Sequence, residues 1–174
     1  MFTNIVVATD GSALAGKAIL AAADLAVKYG AELTVLHNLM HGEPPEAFRR
    51  MAEVEHLVAD HPHLQTALDN VPGQLVSARV DIERKRLDHD VIVSMGKNLL
   101  QRAKMQAHEA GVDQVKGEVL EGDAAVEIIA AAEHIGADLI VLGTRGLGPL
   151  KGLLMGSISQ KVSQMAKCAC MIVK

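Results

Sequence analysis

Five short apolar runs, alternating with stretches of helical periodicity, constrain this chain more than any other feature. The first is a β-branched run from Thr3 to Thr9 that contains Ile5, Val6 and Val7 and ends at Asp10-Gly11. The others are Glu32 to His37 (Leu33, Val35, Leu36), Val115 to Leu120, Asp138 to Leu142 and Ala169 to Val173. Ser12 can cap a helix running to about Tyr29, with Ala15, Ile19, Ala22, Leu25 and Ala26 on one face and Gly30 as its stop. Asp123 to Ile135 reads as an Ala-rich helix whose apolar face is Val126, Ile129, Ala130 and residues 132–135, ended by Gly136. Ser157 to Ala166 reads as the last helix. Strands joined by single helices require right-handed crossovers and hence a parallel sheet. The expected fold is α/β: a single domain over residues 1–174, built as a three-layer, doubly wound, five-stranded parallel sheet of Rossmann-like type. Ligands of such sheets bind outside the carboxyl ends of the strands, near the topological switch point. Asp10, His37 and Gly143 all follow strand ends.

The segment between Asn38 and Gly111 carries weaker signals. Pro44-Pro45 opens a helix expected to run to about Ala59, while His61-Pro62-His63 and Pro72-Gly73 read as breaks. Residues 60–73 are expected to be mobile. From about Gln74 to Glu109 the residues are compatible with a long helix, although Val91-Ile92-Val93 also fits a strand. Ile92, Met95, Leu99, Arg102, Ala103 and Gln106 have helical spacing.

The strongest local signal spans Leu142 to Gln160, LGTRGLGPLKGLLMGSISQ. A strand opens into Gly143-Thr144-Arg145-Gly146, and a helix begins at Gly156-Ser157-Ile158-Ser159. Such a loop presents backbone N–H groups to a common point, where the helix dipole adds partial positive charge, so an anion such as phosphate is favoured. Glycine permits φ > 0 and a close approach of the backbone to a ligand. A tight strand-to-helix connection without a ligand also uses glycines. At the first strand end, Ala8-Thr9-Asp10-Gly11-Ser12 reads equally as a helix entry with Ser12 as cap.

Composition removes several classes of function. Net charge is −4 and aromatic residues are 2% of the chain, with no Trp, which leaves no electrostatic footprint for nucleic acid and removes most stacking platforms. The apolar runs are too short to cross a membrane, so a cytoplasmic protein is expected. Cys168 and Cys170 alternate onto one face of a strand and are expected to be a reduced thiol pair. His56, His61 and His63 read as surface histidines, and the eight Met residues as core filler. The chain lacks the Gly-Lys-Ser/Thr of a P-loop, a Gly-x-Ser-x-Gly elbow, and paired carboxylates beside the glycine loop. A phosphate cradle without a positioned base predicts no enzyme activity beyond slow hydrolysis.

The pattern Gly143-x2-Gly146-x9-Gly156-Ser157 resembles the nucleotide-binding signature of the universal stress protein family. The start IVVATDGS resembles that family's first strand and acidic turn, and the ending SISQKVSQMAKCACMIVK resembles its last helix and strand. The matches cover roughly residues 2–37 and 115–174. The middle segment is longer than the family usually shows, and Ala169 stands where a proline is common. The resemblance implies ATP as ligand. Phosphates would be held by the N–H groups of Gly146, Gly156, Ser157 and Ile158 and the hydroxyls of Ser157 and Ser159. Gly143 and Thr144 would lie near the ribose and triphosphate, with Leu142 also among the binding residues; Arg145 reads equally as a partner of phosphate or as a solvent-facing side chain. Ala8, Thr9 and Asp10 would lie at the ribose or at a phosphate-bound Mg²⁺, and Val35 and Leu36 would offer backbone groups to adenine. It also implies a homodimer paired through the last strand. Three functions follow: an ATP-binding regulatory protein, a nucleotide-free dimeric interaction module, or an enzyme of the related adenine-nucleotide α-hydrolase-like class.

Overall fold

The computed structural model describes residues 1–39, 76–146 and 155–174, with the backbone alone for 76–88. The described elements are β1 (Asn4–Ala8), α1 (Ala13–Tyr29), β2 (Glu32–Asn38), α2 (Val76–Glu109), β3 (Val115–Leu120), α3 (Ala124–Ile135), β4 (Leu139–Gly143), α4 (Ser157–Met165) and β5 (Ala169–Val173). The strands form one parallel sheet in the order β3-β2-β1-β4-β5. The chain winds outward from β1 through β2 to β3, then returns to β4 and β5 on the other side, so the switch point lies between β1 and β4. Two compact units are distinguished, residues 1–39 with 96–174 and residues 40–95; the whole sheet belongs to the first.

The central strand is buried on both faces, which is why β1 reads as an unbroken apolar run rather than an alternating one. Ile5 and Val7 face α1 and the later turns of α2, together with Val35, Leu100, Ala103, Leu139 and Val141. Val6 faces the opposite layer with Leu36, Ile128, Ile140, Leu142 and Val162 of α4. Each such side chain contributes about 1.5–3 kcal/mol on full burial. At the amino edge, Asp138 ties the starts of β1 and β4 by accepting from the Thr3 N–H (2.7 Å) and hydroxyl (2.8 Å). Burial acts to raise its carboxyl pKa, but these hydrogen bonds outweigh that and hold it below 3.8.

Local chemistry sets the helix ends as expected. Ser12 caps α1, and Gly30 and Gly136 end α1 and α3 in the left-handed conformation that glycine accepts without strain. Asp123 is the cap of α3 rather than its first residue, with its side chain accepting from Ala125 N and Val126 N.

Three packing expectations are corrected. The buried face of α3 is Ala125, Ile128 and Ala132, whereas Val126 and Ala130 are exposed. Residues 91–93 continue α2 instead of forming a strand. In the sheet-bearing unit the buried stripe of α2 is Gly96, Leu100, Ala103 and Ala107, while Arg102 is exposed and Leu99 and Gln106 are half-buried. The cause in both helices is a rotation of the buried stripe by about one residue, which Ala-rich and mixed sequences do not specify. Met105, Met165 and Met171 are exposed, so these methionines are not core filler. Cys168 and Cys170 are free thiols on the α3–α4 face, and burial pushes both thiol pKa values up. The helix expected after Pro44, the breaks at 61–63 and 72–73, and His56, His61 and His63 lie outside the described residues. No described helix is long and apolar enough to cross a membrane.

Candidate functional site

The loop after β1 is held by its own side chains. Thr9 is buried, and its hydroxyl oxygen accepts from Gly11 N (3.2 Å). Asp10 Oδ1 accepts from Ser12 N (3.0 Å), and Ser12 Oγ accepts from Ala15 N (3.2 Å). Gly11 has φ +82°, and a side chain there would meet Leu99 Cδ1 of α2 at 2.7 Å. Thr9 N donates to Leu36 O (2.9 Å), which continues the β1–β2 ladder past Ala8.

The loop after β4 meets this one. Thr144 is buried, and its N–H (2.7 Å) and hydroxyl (3.0 Å) both donate to Val173 O of β5. Gly156 N donates to Thr144 O (2.7 Å), and Ser159 Oγ donates to Gly143 O (2.8 Å). These bonds close the strand-to-helix connection at both ends. The Gly156 N–H and the buried Ser159 hydroxyl, both expected at the phosphates, thus bond to backbone carbonyls in this structure. The glycines of the motif act through close approach. None of Gly143, Gly146 and Gly156 has positive φ. A Cβ on Gly143 would stand 3.0 Å from the Leu14 carbonyl carbon and 3.2 Å from Ala15 N, so this glycine lets the first turn of α1 seat on β4. A Cβ on Gly146 would collide with Asp10 Oδ2. The first and fourth strand loops are therefore in direct contact through Asp10 and Gly146. Arg145 is exposed beside them, and the Leu142 side chain is core.

Three described helices begin at this carboxyl edge, and they differ in how their first N–H groups are met. Ser12 caps α1. Asp123 caps α3; the hydrogen bond from Val126 and then the Lys161 ammonium (3.1 Å) hold its carboxyl below 3.8. The cap of α4 is Gly156, with φ −74° and ψ 156° and no side chain to accept. The first-turn N–H groups of Ser157 and Ile158, both exposed, have no acceptor within their own helix. With the dipole behind them they form the anion-seeking point of the edge.

The end of β2 lies two residues beyond the expected contact. Val35 and Leu36 are fully buried core residues within the strand, and Leu36 O already accepts from Thr9. The edge itself carries His37 and Asn38. The His37 ring is buried, with Nδ1 2.9 Å from Thr9 O, which assigns the proton to Nδ1 because a carbonyl only accepts. Asn38 Nδ2 donates to Leu39 O and Gly122 O, both at 3.1 Å. The signal for this pair in the sequence is two polar residues directly after an apolar run.

Among the described residues no group of three or more His, Cys, Asp or Glu could hold a metal ion. Asp10 offers a single carboxylate. That fits Mg²⁺ only when phosphate and water supply most of the six oxygens, which is the usual way Mg²⁺ is bound.

Comparison with known proteins gives one consistent result. The universal stress protein family matches residues 1–174. The universal stress protein YxiE of Bacillus subtilis is 33% identical over 174 residues, covering 100% of both chains, the middle segment included. Among solved structures, a universal stress protein in complex with cAMP superposes with TM-score 0.61 at 22% identity, covering 99% of this chain and 97% of that one. A universal stress protein from Archaeoglobus fulgidus in complex with dAMP superposes with TM-score 0.60 at 18% identity, covering 99% and 98%.

Proposed function

Because the chain belongs to the universal stress protein family, we propose that it is a cytoplasmic ATP-binding regulatory protein of the stress response. The observation that carries this reading is the side-chain-free cap of α4, set against the side-chain caps of α1 and α3 at the same edge. The N–H groups of Ser157 and Ile158, with that of Gly146, bind the phosphates. Arg145 adds a mobile positive charge. That two structural neighbours are complexes with the adenine nucleotides cAMP and dAMP supports a nucleotide as the ligand.

Asp10, adjacent to Gly146, is the residue that would hold Mg²⁺ brought in with the phosphates. When bound, the ion would supply charge neutralisation at the phosphates. Among the described residues the one carboxylate of the two loops is Asp10, and in this reading it is committed to Mg²⁺, which leaves no base to orient a water. Hydrolysis is therefore slow: single-turnover rates fall well below the roughly 1 s⁻¹ at which enzymes begin.

The reading includes a homodimer paired through β5. Ala169 N and Val173 O bond toward β4, so the intervening Cys170 and Ile172 direct their backbone groups to the open edge. The opposite edge strand, β3, carries the exposed charges Lys116 and Glu118, which discourage pairing; β5 carries no charged residue. Ligand-dependent bias of this pairing is the regulatory output.

Titration calorimetry with MgATP tests the ligand. Heat of binding and a thermal shift are expected; neither appearing up to millimolar ATP would overturn the reading.

A further inference from the structure

Cys168 and Cys170 stand two residues apart where the turn from α4 enters β5, at the amino ends of the strands and so opposite the nucleotide edge. Both side chains pack on the α3–α4 layer with Ile172, so they share one face of the chain. Both thiols are free and half-buried. The Cys170 thiol is turned back along the chain, its Sγ donating weakly to Cys168 O (3.9 Å). Cys168 also lines a cavity of about 370 Å³ between α3 and this turn, whose walls include Ile129, Ala132, Ile140 and Lys167. Cys170 pairs with Ile140 in the sheet, which sets it next to a residue of that wall.

Geometry excludes a disulfide within the pair. Two residues of extended chain set the Cα atoms about 6.6 Å apart with the side chains side by side. A disulfide needs Cβ atoms about 3.5–4.5 Å apart. Structural zinc and iron–sulfur clusters take four protein ligands. Among the described residues no third His, Cys, Asp or Glu joins these two in a metal-holding group. Two soft thiolates without a third donor suit a soft ion of low coordination number, and Cu(I) is that ion. Two metal–thiolate bonds of about 2.3 Å set in line span about 4.6 Å. The thiols meet that span by leaning toward one another, as Cys170 already does. Burial raises both thiol pKa values, and the carboxylates of Asp138 and Glu133 act on Cys168 in the same direction. The pair therefore waits as two neutral thiols.

We propose that Cys168 and Cys170 form a two-coordinate site for Cu(I), separate from the nucleotide edge. Both S–H bonds break as two Cu–S bonds form, and two protons leave to solvent. Copper enters and stays as Cu(I), so no oxidant or reductant takes part. The complex carries one net negative charge beside the Lys167–Glu133 ion pair (3.0 Å), whose Lys167 lines the same cavity. The cavity gives a carrier thiol room beside Cys168, so that the ion passes from sulfur to sulfur without being released into water.

The test is anaerobic competition for Cu(I), supplied as its bicinchoninate complex, by the parent, Cys168→Ser, Cys170→Ser and the double variant, with X-ray absorption to count the sulfur neighbours of copper. The parent should take one ion per chain, held by two sulfurs. Each single variant should bind about a hundredfold or more weaker, because the second sulfur acts at the high effective concentration of a ligand on the same chain. The double variant should leave the ion with the chelator. A parent that yields the ion as readily as the double variant would overturn the inference. A single variant within about tenfold of the parent would do the same, as would two ions per chain or one ion shared between two chains. If a variant does not fold, the stoichiometry and sulfur count of the parent decide alone.

Discussion

Gly156→Asp separates the fold of the α4 cap from its proposed function, because the two should respond with opposite sign. The backbone at Gly156 (φ −74°, ψ 156°) is already the extended conformation of a helix cap. A Cβ there would stand 3.3 Å from Thr144 O and 3.6 Å from Arg145 Cα, close enough that the neighbours must give by a few tenths of an ångström. The new carboxylate would accept from the N–H of Ile158 or Ser159. Relative to glycine such a cap adds a few tenths of a kcal/mol, and a negative charge at a helix N-terminus adds about 0.3–1 kcal/mol. The melting temperature of the free protein should hold or rise, by up to about 4 °C.

Nucleotide affinity should fall. The variant's own carboxylate occupies at least one N–H that a phosphate would use, a bond to a charged group of about 1.5–3 kcal/mol. Charge repulsion at about 4 Å adds about 1 kcal/mol in water and about 4 kcal/mol near a protein surface. The lower ends alone sum to about 2.5 kcal/mol, or roughly sixty-fold in Kd. Differential scanning fluorimetry without ligand and calorimetry with MgATP measure the two halves. Gly156→Ala is the control for bulk: it should cost about 1 kcal/mol of stability as a poor cap yet bind within a few-fold of the parent. A Gly156→Asp protein that binds MgATP within about tenfold of the parent would refute the assignment of the phosphates to α4.

Gly143→Ala should destabilise the fold by about 1–3 kcal/mol in urea denaturation, since the atoms its Cβ meets are the backbone of Leu14 and Ala15 and cannot turn aside. Asp123 has its carboxyl pKa depressed below 3.8 by the Val126 hydrogen bond and Lys161, so its contribution is present above pH 3.8 and is lost as pH falls through the folded value. The melting temperature of Asp123→Asn should therefore decline less than that of the parent as pH is lowered below 3.8. Ile172→Pro removes an N–H directed at the open edge while sparing the β4 ladder, so light scattering should report a monomer with near-native circular dichroism; a persistent dimer would place the interface elsewhere.

Apart from residues 91–93, which also fitted a strand, the sequence by itself determined the described elements and their order, with most of their ends. Period-two and unbroken apolar runs, Ala-rich helical faces, and the caps Ser12, Gly30 and Gly136 are local, because each depends on residues within a turn or two. Parallel pairing followed from single-helix connections. The glycine loop was legible as a phosphate motif for the same reason: its spacing is a short-range property.

Tertiary structure decided what each polar group of that motif is free to do. The Gly156 N–H and the Ser159 hydroxyl look available in the chain, yet Thr144 O and Gly143 O take them once β4 is laid beside β5 and the loop closes. Gly146 could have been a turn glycine; its role became clearance for Asp10, more than a hundred residues away, when β1 and β4 became neighbours. Asn38 carries no signature of its own. Its acceptor is orphaned only because two carbonyls, one of them in the loop after β3, hold the amide in one orientation. Hydrogen-bond satisfaction depends on which strands adjoin and in what register, and sequence spacing does not contain that information.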